Sequence, residues 1–309
     1  MRDHFIKRLC ELALKDKRIL LITGDLGFVV FDRYRQECPD QFINAGVAEQ
    51  NMTSMATGMA LQGKIVFTYS IGNFPTLRCL EQIRNDACYH GANVKIIAVG
   101  GGFSYGSLGI SHHATEDIAI LRALPDLTVV SPCGLWEAEE MTEAVAYHPG
   151  TCYMRLDKSF GNAIPAPGEK LKIGKARKLR DGNDCSFIVC GGILEEVEKA
   201  ADMLNANGIK SAIYSLHTIS PLDKEAIYEA ALSSAVVTVE EHTISGGLGS
   251  AVAETLMDAG IHPSRFLRIG LNACFSSIVG SQHYLRERYG LSASKITARV
   301  SELLNRSLQ

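Results

Sequence analysis

The chain has 309 residues, of which 46% are hydrophobic and 21% are charged, and this composition is typical of a folded globular protein. Its length suffices for two domains with substantial cores. The formal net charge of -3 gives no electrostatic basis for binding nucleic acid or an acidic membrane surface. No apolar run is long enough to span a membrane, and the charges within residues 1–17 favour an amphipathic helix over a signal peptide.

Strand-like and helix-like segments alternate through the first half of the chain. Helical patterns such as AEQNMTSMATGMAL and LWEAEEMTEAVAYH separate short, almost entirely apolar strand candidates. Apolar strands of this kind are typical of a parallel sheet that helices cover on both faces. The strand candidates are residues 18–24 (RILLITG), 64–70 (KIVFTYS), 94–101 (VKIIAVGG), 127–132 (LTVVSP) and 151–156 (TCYMRL). The alternation predicts a doubly wound α/β domain over residues 1–160.

The pattern changes over residues 161–184, where prolines and glycine interrupt it and a basic run follows. We interpret this segment as a linker. The alternation then resumes with CSFIVCGG, KSAIYSL, SAVVTVEEH and RFLRIG as strand candidates. The sequence thus predicts a second, smaller α/β domain over residues 185–309.

The nine cysteines are an odd number and lie mostly within apolar segments. No CxxC pair occurs, and the spacing of Cys185 and Cys190 is not that of a metal site. We therefore predict reduced, buried cysteines in a cytoplasmic protein.

Glu49 opens a helical pattern that is otherwise small or apolar, with Met52, Met55 and Met59 at spacings of three and four. Its distance from Met52 predicts that the carboxylate faces the buried side of the helix. A carboxylate in the first turn interacts favourably with the helix dipole, but it loses hydration when it faces inward. Two interpretations remain: a capping carboxylate, or a carboxyl group kept from water because a ligand hydrogen-bonds to it.

Ligands of parallel α/β sheets bind beyond the carboxyl ends of the strands. This rule selects side chains at or beyond the carboxyl ends of the strand candidates: Asp25, Phe74, Arg78, Arg155 and Lys158. Asp25 also fits an ordinary turn residue, and Phe74, like Tyr69, also fits a core aromatic.

A glycine-rich loop follows the strand candidate at residues 94–101 and ends in His112 and His113. Two adjacent histidines cannot face the same way, so one can reach a substrate oxygen while the other packs or caps. We favour a functional loop over an inert surface loop, because the pair lies at the carboxyl end of a strand. No metal site is predicted, since spacing places no third ligand.

Together, these segments resemble the carboxyl-terminal half of transketolase. FINAGVAEQNMTSMATGMALQG is similar to the family's pyrimidine-domain segment, and three later blocks occur in the family's order: RCLEQIRND, SHHATEDIAILRALPDLTVVSPC and VTVEEHTISGGLGSAVAE. The resemblance covers nearly the whole chain. It implies a pyrimidine-binding thiamine-diphosphate domain followed by a transketolase C-terminal-like α/β domain.

The resemblance implies roles for several cofactor-binding residues. Glu49 matches the catalytic glutamate that hydrogen-bonds N1′ of the aminopyrimidine of thiamine diphosphate. Phe74 matches the aromatic residue that stacks on the pyrimidine, with Tyr69 and Ile71 as the neighbouring pocket wall. Asp25 matches the aspartate that helps to fix the cofactor.

The resemblance also implies substrate contacts. His112 aligns with the catalytic histidine that meets substrate hydroxyls or the carbonyl oxygen, with His113 beside it. Arg155 and Lys158 fall around the family's phosphate-binding arginine, and Lys158 is the closer match. A lysine offers a point charge without the bidentate fork of an arginine. Arg78 is a further candidate for substrate binding.

Two departures from the family pattern affect the expected substrate and partner. YGSLGISH stands where the family has a GEDGPTH-like loop, and Ile71 replaces one aromatic residue, which puts the usual sugar phosphates in doubt. The chain also has no GDG motif. We therefore expect no metal ligands here, and expect Mg²⁺ (or Ca²⁺) to be held mainly by a separate N-terminal subunit.

The expected function is that of the C-terminal subunit of a split, thiamine-diphosphate-dependent transketolase, which moves a ketol unit from a phosphorylated or otherwise anionic ketose to an aldose. The expected active form is a heterotetramer in which two copies of this chain pair through their first domains. The alternatives are the beta subunit of a 2-oxoacid dehydrogenase or of another thiamine enzyme, and a non-catalytic transketolase-like scaffold.

Overall fold

The computed structural model describes residues 1–159, 161 and 163–305. It contains two parallel-dominant β-sheets with helices on their faces, which confirms the predicted α/β class. The strands are β1 (Ile19–Thr23), β2 (Phe42–Asn44), β3 (Ile65–Ile71), β4 (Val94–Val99), β5 (Leu127–Val130), β6 (Thr151–Leu156), β7 (Arg177–Arg180), β8 (Cys185–Val189), β9 (Ser211–Ser215), β10 (Thr218–Ser220), β11 (Val236–Thr243) and β12 (Phe266–Leu271).

The helices alternate with these strands along most of the chain. One of them, α4, continues directly into a π-helical segment at Ile83–Cys88. The helices are α1 (Arg2–Lys15), α2 (Asp32–Glu37), α3 (Glu49–Leu61), α4 (Leu80–Gln82), α5 (Asp117–Leu121), α6 (Leu135–Tyr147), α7 (Leu194–Ala206), α8 (Lys224–Ala230), α9 (Leu248–Asp258), α10 (Gln282–Arg288) and α11 (Ala293–Asn305). No helix in the described residues is long and apolar enough to cross a membrane.

The first sheet is seven-stranded, in the order β10-β5-β6-β4-β3-β1-β2. Successive side chains of its parallel strands point to opposite faces of the sheet, because side-chain direction alternates along a strand. They therefore pack in two different hydrophobic cores. Leu21 packs with α1 and α6 on one face, while Ile22 packs with α3 on the other. Burial on both faces explains why these strands are almost continuously apolar.

The second sheet is five-stranded, in the order β12-β11-β8-β9-β7. Phe187 of β8 packs against α7 and α11, and Ile188 packs in the core that contains α8 and α9. Helices therefore cover both faces, as in the first sheet.

Two short strands differ from what the sequence indicates. Arg177–Arg180, within the segment interpreted as a linker, forms β7 and pairs antiparallel with β9 at an edge of the second sheet. Its polar sequence (RKLR) suits an edge strand, which is why no apolar pattern revealed it. Thr218–Ser220 forms β10, which crosses to the first sheet and pairs antiparallel with β5. Residues 161–184 thus contribute a strand as well as a connection.

All nine cysteines lie in the described part of the chain and are free thiols. Eight are buried, as predicted, and Cys274 is exposed. Burial raises the pKa of most of these thiols, for example that of Cys185 to about 11.

A buried arginine fixes β7 to the first domain. The guanidinium of Arg177 donates from Nη1 to Glu137 of α6 at 2.7 Å and from Nη2 to Glu169 at 3.1 Å. Glu137 is 1% exposed, and its other oxygen accepts hydrogen bonds from the Cys133 amide and the Ser215 hydroxyl. Removal of Arg177 would leave one buried carboxylate oxygen without a partner.

We therefore expect Arg177→Met to lower the free energy of unfolding by about 3 kcal/mol, because an unpaired charge would remain buried. The matched control is Arg180→Met on the same strand, whose partner Asp202 is 69% exposed. The Arg180→Met substitution should lower the free energy of unfolding by about 1 kcal/mol or less. Urea unfolding of both variants measures the difference, and equal losses would contradict the assignment of a buried ion pair.

Candidate active site

The carboxyl ends of β1, β3, β4 and β6 meet at one edge of the first sheet, because these strands are parallel and adjacent. The register pairs Thr23 with Tyr69, Ile71 with Val99, and Val99 with Leu156. The segments that follow these strands carry most of the candidate side chains. The structure can therefore be compared with the sequence prediction residue by residue.

Glu49 is the first residue of α3 and is 3% exposed, so the carboxylate faces inward as its spacing predicted. Its Oε2 accepts a hydrogen bond from Nη1 of Arg78 at 2.7 Å. Within the described residues, the carboxylate has no other hydrogen-bond partner and does not cap its own helix. Between the two interpretations of Glu49, this geometry favours a carboxyl group held for a ligand.

Phe74 and His112 lie next to this ion pair. The guanidinium carbon of Arg78 lies 4.7 Å from the centroid of the Phe74 ring. The ring of His112 meets Phe74 edge-on, with 5.3 Å between the centroids. Ile71 ends β3, and its carbonyl accepts the Phe74 amide at 2.9 Å. Glu49, Arg78, Phe74 and His112 thus form one continuous group, which we name the Glu49 group.

A row of side chains extends from the Glu49 group. Tyr105 lies 6.2 Å from His112 by ring centroids, and the ammonium of Lys158 lies 3.8 Å from the centroid of Tyr105. Lys158 is exposed, and no carboxylate in the described residues pairs with it. Beside it lies a cavity of about 250 Å³, which Arg2 and the carboxylates of Asp3 and Asp157 also line. Sequence reasoning missed Tyr105, although this residue lies in the quoted glycine-rich loop.

The two adjacent histidines face in different directions, as predicted. His112 is half-buried, and its Nδ1 lies 2.9 Å from the hydroxyl of Ser111. His113 is 1% exposed, and its Nε2 lies 3.2 Å from the Gly106 carbonyl, which identifies Nε2 as the donor. The ring of His113 packs edge-on against Phe103. His112 therefore belongs to the open site, whereas His113 packs inside the loop.

Asp25 follows β1 with a left-handed backbone (φ 58°), a conformation that aspartate tolerates better than most residues. Its carboxylate accepts a hydrogen bond from the side-chain amide of Asn44 at 2.9 Å, and its own amide donates to Asn44 at 3.0 Å. This reciprocal pair fixes an exposed carboxylate near the start of α3. The sequence contains no spacing that would have revealed Asn44 as the partner.

Tyr69 does not line the open site, contrary to the expectation. It is 4% exposed and packs against Phe31 and Phe5, at 4.8 Å and 6.3 Å between ring centroids. Burial raises the pKa of its phenol. It is a core aromatic of the first domain, the alternative that the sequence left open.

Arg155 also differs from the expectation, because it is 2% exposed and enclosed by protein groups. Its Nη2 donates to the carbonyls of Ala114 and Glu241, at 3.2 Å and 2.9 Å. The carboxylates of Asp117 and Asp157 lie 3.6 Å and 3.7 Å from its Nε. Arg155 joins the two domains and cannot reach a substrate phosphate, which leaves Lys158 as the candidate.

The structure is that of a two-domain α/β protein, with its candidate site at the carboxyl ends of parallel strands. Residues 1–162 match the family model of the transketolase pyrimidine-binding domain, and residues 174–296 match that of the transketolase C-terminal domain. The chain belongs to the transketolase family.

Several curated proteins are similar over nearly the full length of both chains. A putative transketolase C-terminal section of Methanocaldococcus jannaschii is 38% identical, over 98% of this chain and 95% of that protein. A 6-deoxy-6-sulfo-D-fructose transketolase subunit of a Clostridium species is 35% identical, over 99% and 95%. An apulose-4-phosphate transketolase subunit of Phocaeicola vulgatus is 34% identical, over 99% and 97%.

Solved structures agree with this assignment. A split-gene transketolase, described as an inactive beta4 tetramer, superimposes with a TM-score of 0.87 at 33% identity, over 98% of this chain and 97% of that chain. A transketolase of Campylobacter jejuni superimposes with a TM-score of 0.80 at 19% identity and shows the same fold. The match covers 97% of this chain and 46% of that longer one.

The environment of His112 predicts how its ring titrates. Burial, together with the charge of neighbouring His113, lowers the pKa of His112 from its usual 6.5. The folded protein therefore binds fewer protons than the unfolded chain just below that pH, so this group's contribution to stability decreases as the pH falls through that window. We expect a titration midpoint below 6.5 by side-chain NMR, and an upward shift in His113→Gln. A midpoint above 6.5 in the native chain would contradict this environment.

Proposed function

We propose that this chain is the carboxyl-terminal subunit of a split transketolase, which transfers a two-carbon ketol unit from an anionic ketose to an aldose with thiamine diphosphate. The observation that carries the proposal is Glu49, a buried carboxylate with one oxygen unpaired, beside the half-buried ring of Phe74. Relatives of nearly the same length are named transketolase subunits or sections, and this supports the subunit role.

The Glu49 group fits the aminopyrimidine of the cofactor. Glu49 can hydrogen-bond to a ring nitrogen, because Oε1 has no protein partner in the described residues. Phe74 offers an aromatic face or edge to a flat heterocycle. Arg78 holds Oε2 and so orients the carboxylate. When bound, thiamine diphosphate supplies the carbon nucleophile for ketol transfer.

The other end of the cofactor needs groups from another chain. Mg²⁺ or Ca²⁺ requires several oxygen ligands, and the described residues contain no group of three or more histidine, cysteine or acidic side chains that could hold a metal ion. We therefore assign the diphosphate and metal ligands to a separate N-terminal subunit. The active assembly in this proposal is a heterotetramer, with two copies of this chain between two partner chains.

The row from His112 to Lys158 fits a ketose that carries an anionic group. The lowered pKa of His112 keeps its ring neutral at pH 7, so the ring can donate to or accept from a hydroxyl or carbonyl oxygen. The ammonium of Lys158 and the guanidinium of Arg2 then supply the positive charge that would neutralise a distal anion, beside the carboxylates of Asp3 and Asp157. One relative is named for a sulfonated sugar and another for a sugar phosphate, which supports this substrate class. The free, mostly buried cysteines support a cytoplasmic location.

We expect Glu49→Gln to reduce turnover at least 100-fold in the complete enzyme, because the amide cannot take up the proton that a carboxylate shares with a ring nitrogen. The change is nearly isosteric, so circular dichroism should remain that of the unchanged protein. Glu81→Gln, at an exposed position on α4, is the control and should retain full activity. An active Glu49→Gln enzyme would refute the cofactor assignment.

We also expect the isolated chain to fold but to bind thiamine diphosphate and Mg²⁺ weakly, because it lacks the diphosphate and metal ligands. Addition of the N-terminal subunit should produce tight binding and ketol transfer. Isothermal titration calorimetry with and without that subunit measures the difference. Tight binding and full activity of the isolated chain would show that the split-enzyme proposal is wrong.

A further inference from the structure

The loop that carries His112 begins and ends at a narrow neck. Gly102 and Ala114 exchange both backbone hydrogen bonds, at 2.8 Å and 3.1 Å, and residues 103–113 extend between them. His112 lies just before this neck closes. The position of the neck therefore influences where the His112 ring lies relative to Phe74.

A carboxylate from the second domain contacts this neck. Glu241 of β11 is 2% exposed, and its Oε1 accepts the backbone amide of Phe103 at 2.7 Å. Gly102 has φ +59°, and a Cβ atom there would lie 2.6 Å from Cγ of Glu241. Only glycine permits both this backbone conformation and this close approach.

Side chains of α10 hold Glu241 in place. Nε of Arg286 donates to Oε2 of Glu241 at 2.7 Å, and the amide of Gln282 lies 3.0 Å and 3.1 Å from the two oxygens. Arg286 also pairs with Glu195 of α7. Burial opposes the charge on Arg286, but the two carboxylates outweigh it and raise its pKa. The arginine therefore stays charged whenever the enzyme is folded.

A second set of contacts connects the neck to the histidines. Arg155 donates from Nη2 to the carbonyls of Ala114 and Glu241, so one guanidinium joins the end of the loop to β11. The ring of Phe103, whose amide Glu241 holds, packs 5.0 Å from His113. Both ends of the loop are thus fixed to the second domain.

We propose that Glu241 is a positioning residue of the active site: through the Phe103 amide it fixes the loop that presents His112 to the substrate. The second domain would then influence the reaction by positioning His112 through this contact, in addition to stabilising the fold. The kinetic consequence rests on the proposed ketol transfer, whereas the structural contact does not.

Two glutamine variants separate positioning from a general structural role. In Glu241→Gln one of the two side-chain oxygens becomes an NH2 group, which donates and cannot accept, so either the Phe103 amide or Arg286 loses its acceptor. In Glu195→Gln, Arg286 also loses one carboxylate partner, yet Glu241 keeps all of its donors. The second variant therefore controls for the loss of an ion pair on Arg286.

Hydrogen–deuterium exchange of residues 101–114 in the full-length chain tests the contact without cofactor or partner. We expect Glu241→Gln to accelerate exchange of these amides about tenfold or more, and Glu195→Gln to leave it unchanged, because only the first change weakens the hold on the neck. Equal exchange in the two variants would overturn the proposal. If Glu241→Gln does not fold, Glu241→Asp replaces it, since the shorter side chain keeps its charge but withdraws from the Phe103 amide and should also accelerate exchange.

Steady-state kinetics of the complete enzyme test the consequence for catalysis. Glu241→Gln should lower kcat/KM for the ketose about tenfold while the affinity for thiamine diphosphate stays unchanged, because Glu49 and Phe74 are untouched. If Glu241→Gln accelerates exchange of the loop amides but leaves kcat/KM unchanged, the positioning role is wrong and the proposed function is unaffected. If the native enzyme transfers no ketol unit, the proposed function fails, and the exchange experiment still decides whether Glu241 fixes the loop.

Discussion

Parallel pairing of β1, β3, β4 and β6 is the constraint on which the rest of the structure depends. Parallel strands bring their carboxyl ends to one edge, and each strand must then return through a crossover that covers a face of the sheet. The strands are therefore mostly apolar, with a few buried polar residues such as Lys95 and Arg155, and the side chains of the candidate site lie beyond the strand ends. Glu49 follows β2, which pairs parallel with β1, while Phe74 follows β3 and His112 follows β4, and the three residues still lie in one group.

The buried charges divide into two sets with different roles. Glu49 is paired on one side only, by an arginine that is 47% exposed, so a ligand can complete its hydrogen bonding. Arg155 and Arg286 are surrounded by carboxylates and carbonyls, and they join the domains. Arg155 is fully enclosed even though its Nε has no hydrogen-bond partner, whereas the partner of Glu49 is exposed and leaves the carboxylate within reach of a ligand.

Much of this organisation could be predicted from local patterns. Helical spacing predicted the inward-facing carboxylate of Glu49, and the adjacency of His112 and His113 predicted that they diverge. Local patterns could not show which strand ends the second domain covers. The sequence therefore predicts Arg155 at the substrate, whereas in the structure the second domain encloses it. The short polar strand β7 carries no apolar repeat, and the roles of Asn44 and Tyr105 depend on contacts between distant segments.

The crossing of β10 into the first sheet limits how the two domains of this chain can be exchanged with those of another protein. Thr218–Ser220 belongs by sequence to the second domain but pairs with β5 in the first sheet, on the far side of β5 from β6. A chimaera that exchanges the second domain for that of a relative would also replace this edge strand. Removal of the second domain would expose β5 as an open edge, a template for intermolecular strand pairing. In protein engineering, the two domains should therefore be transferred together.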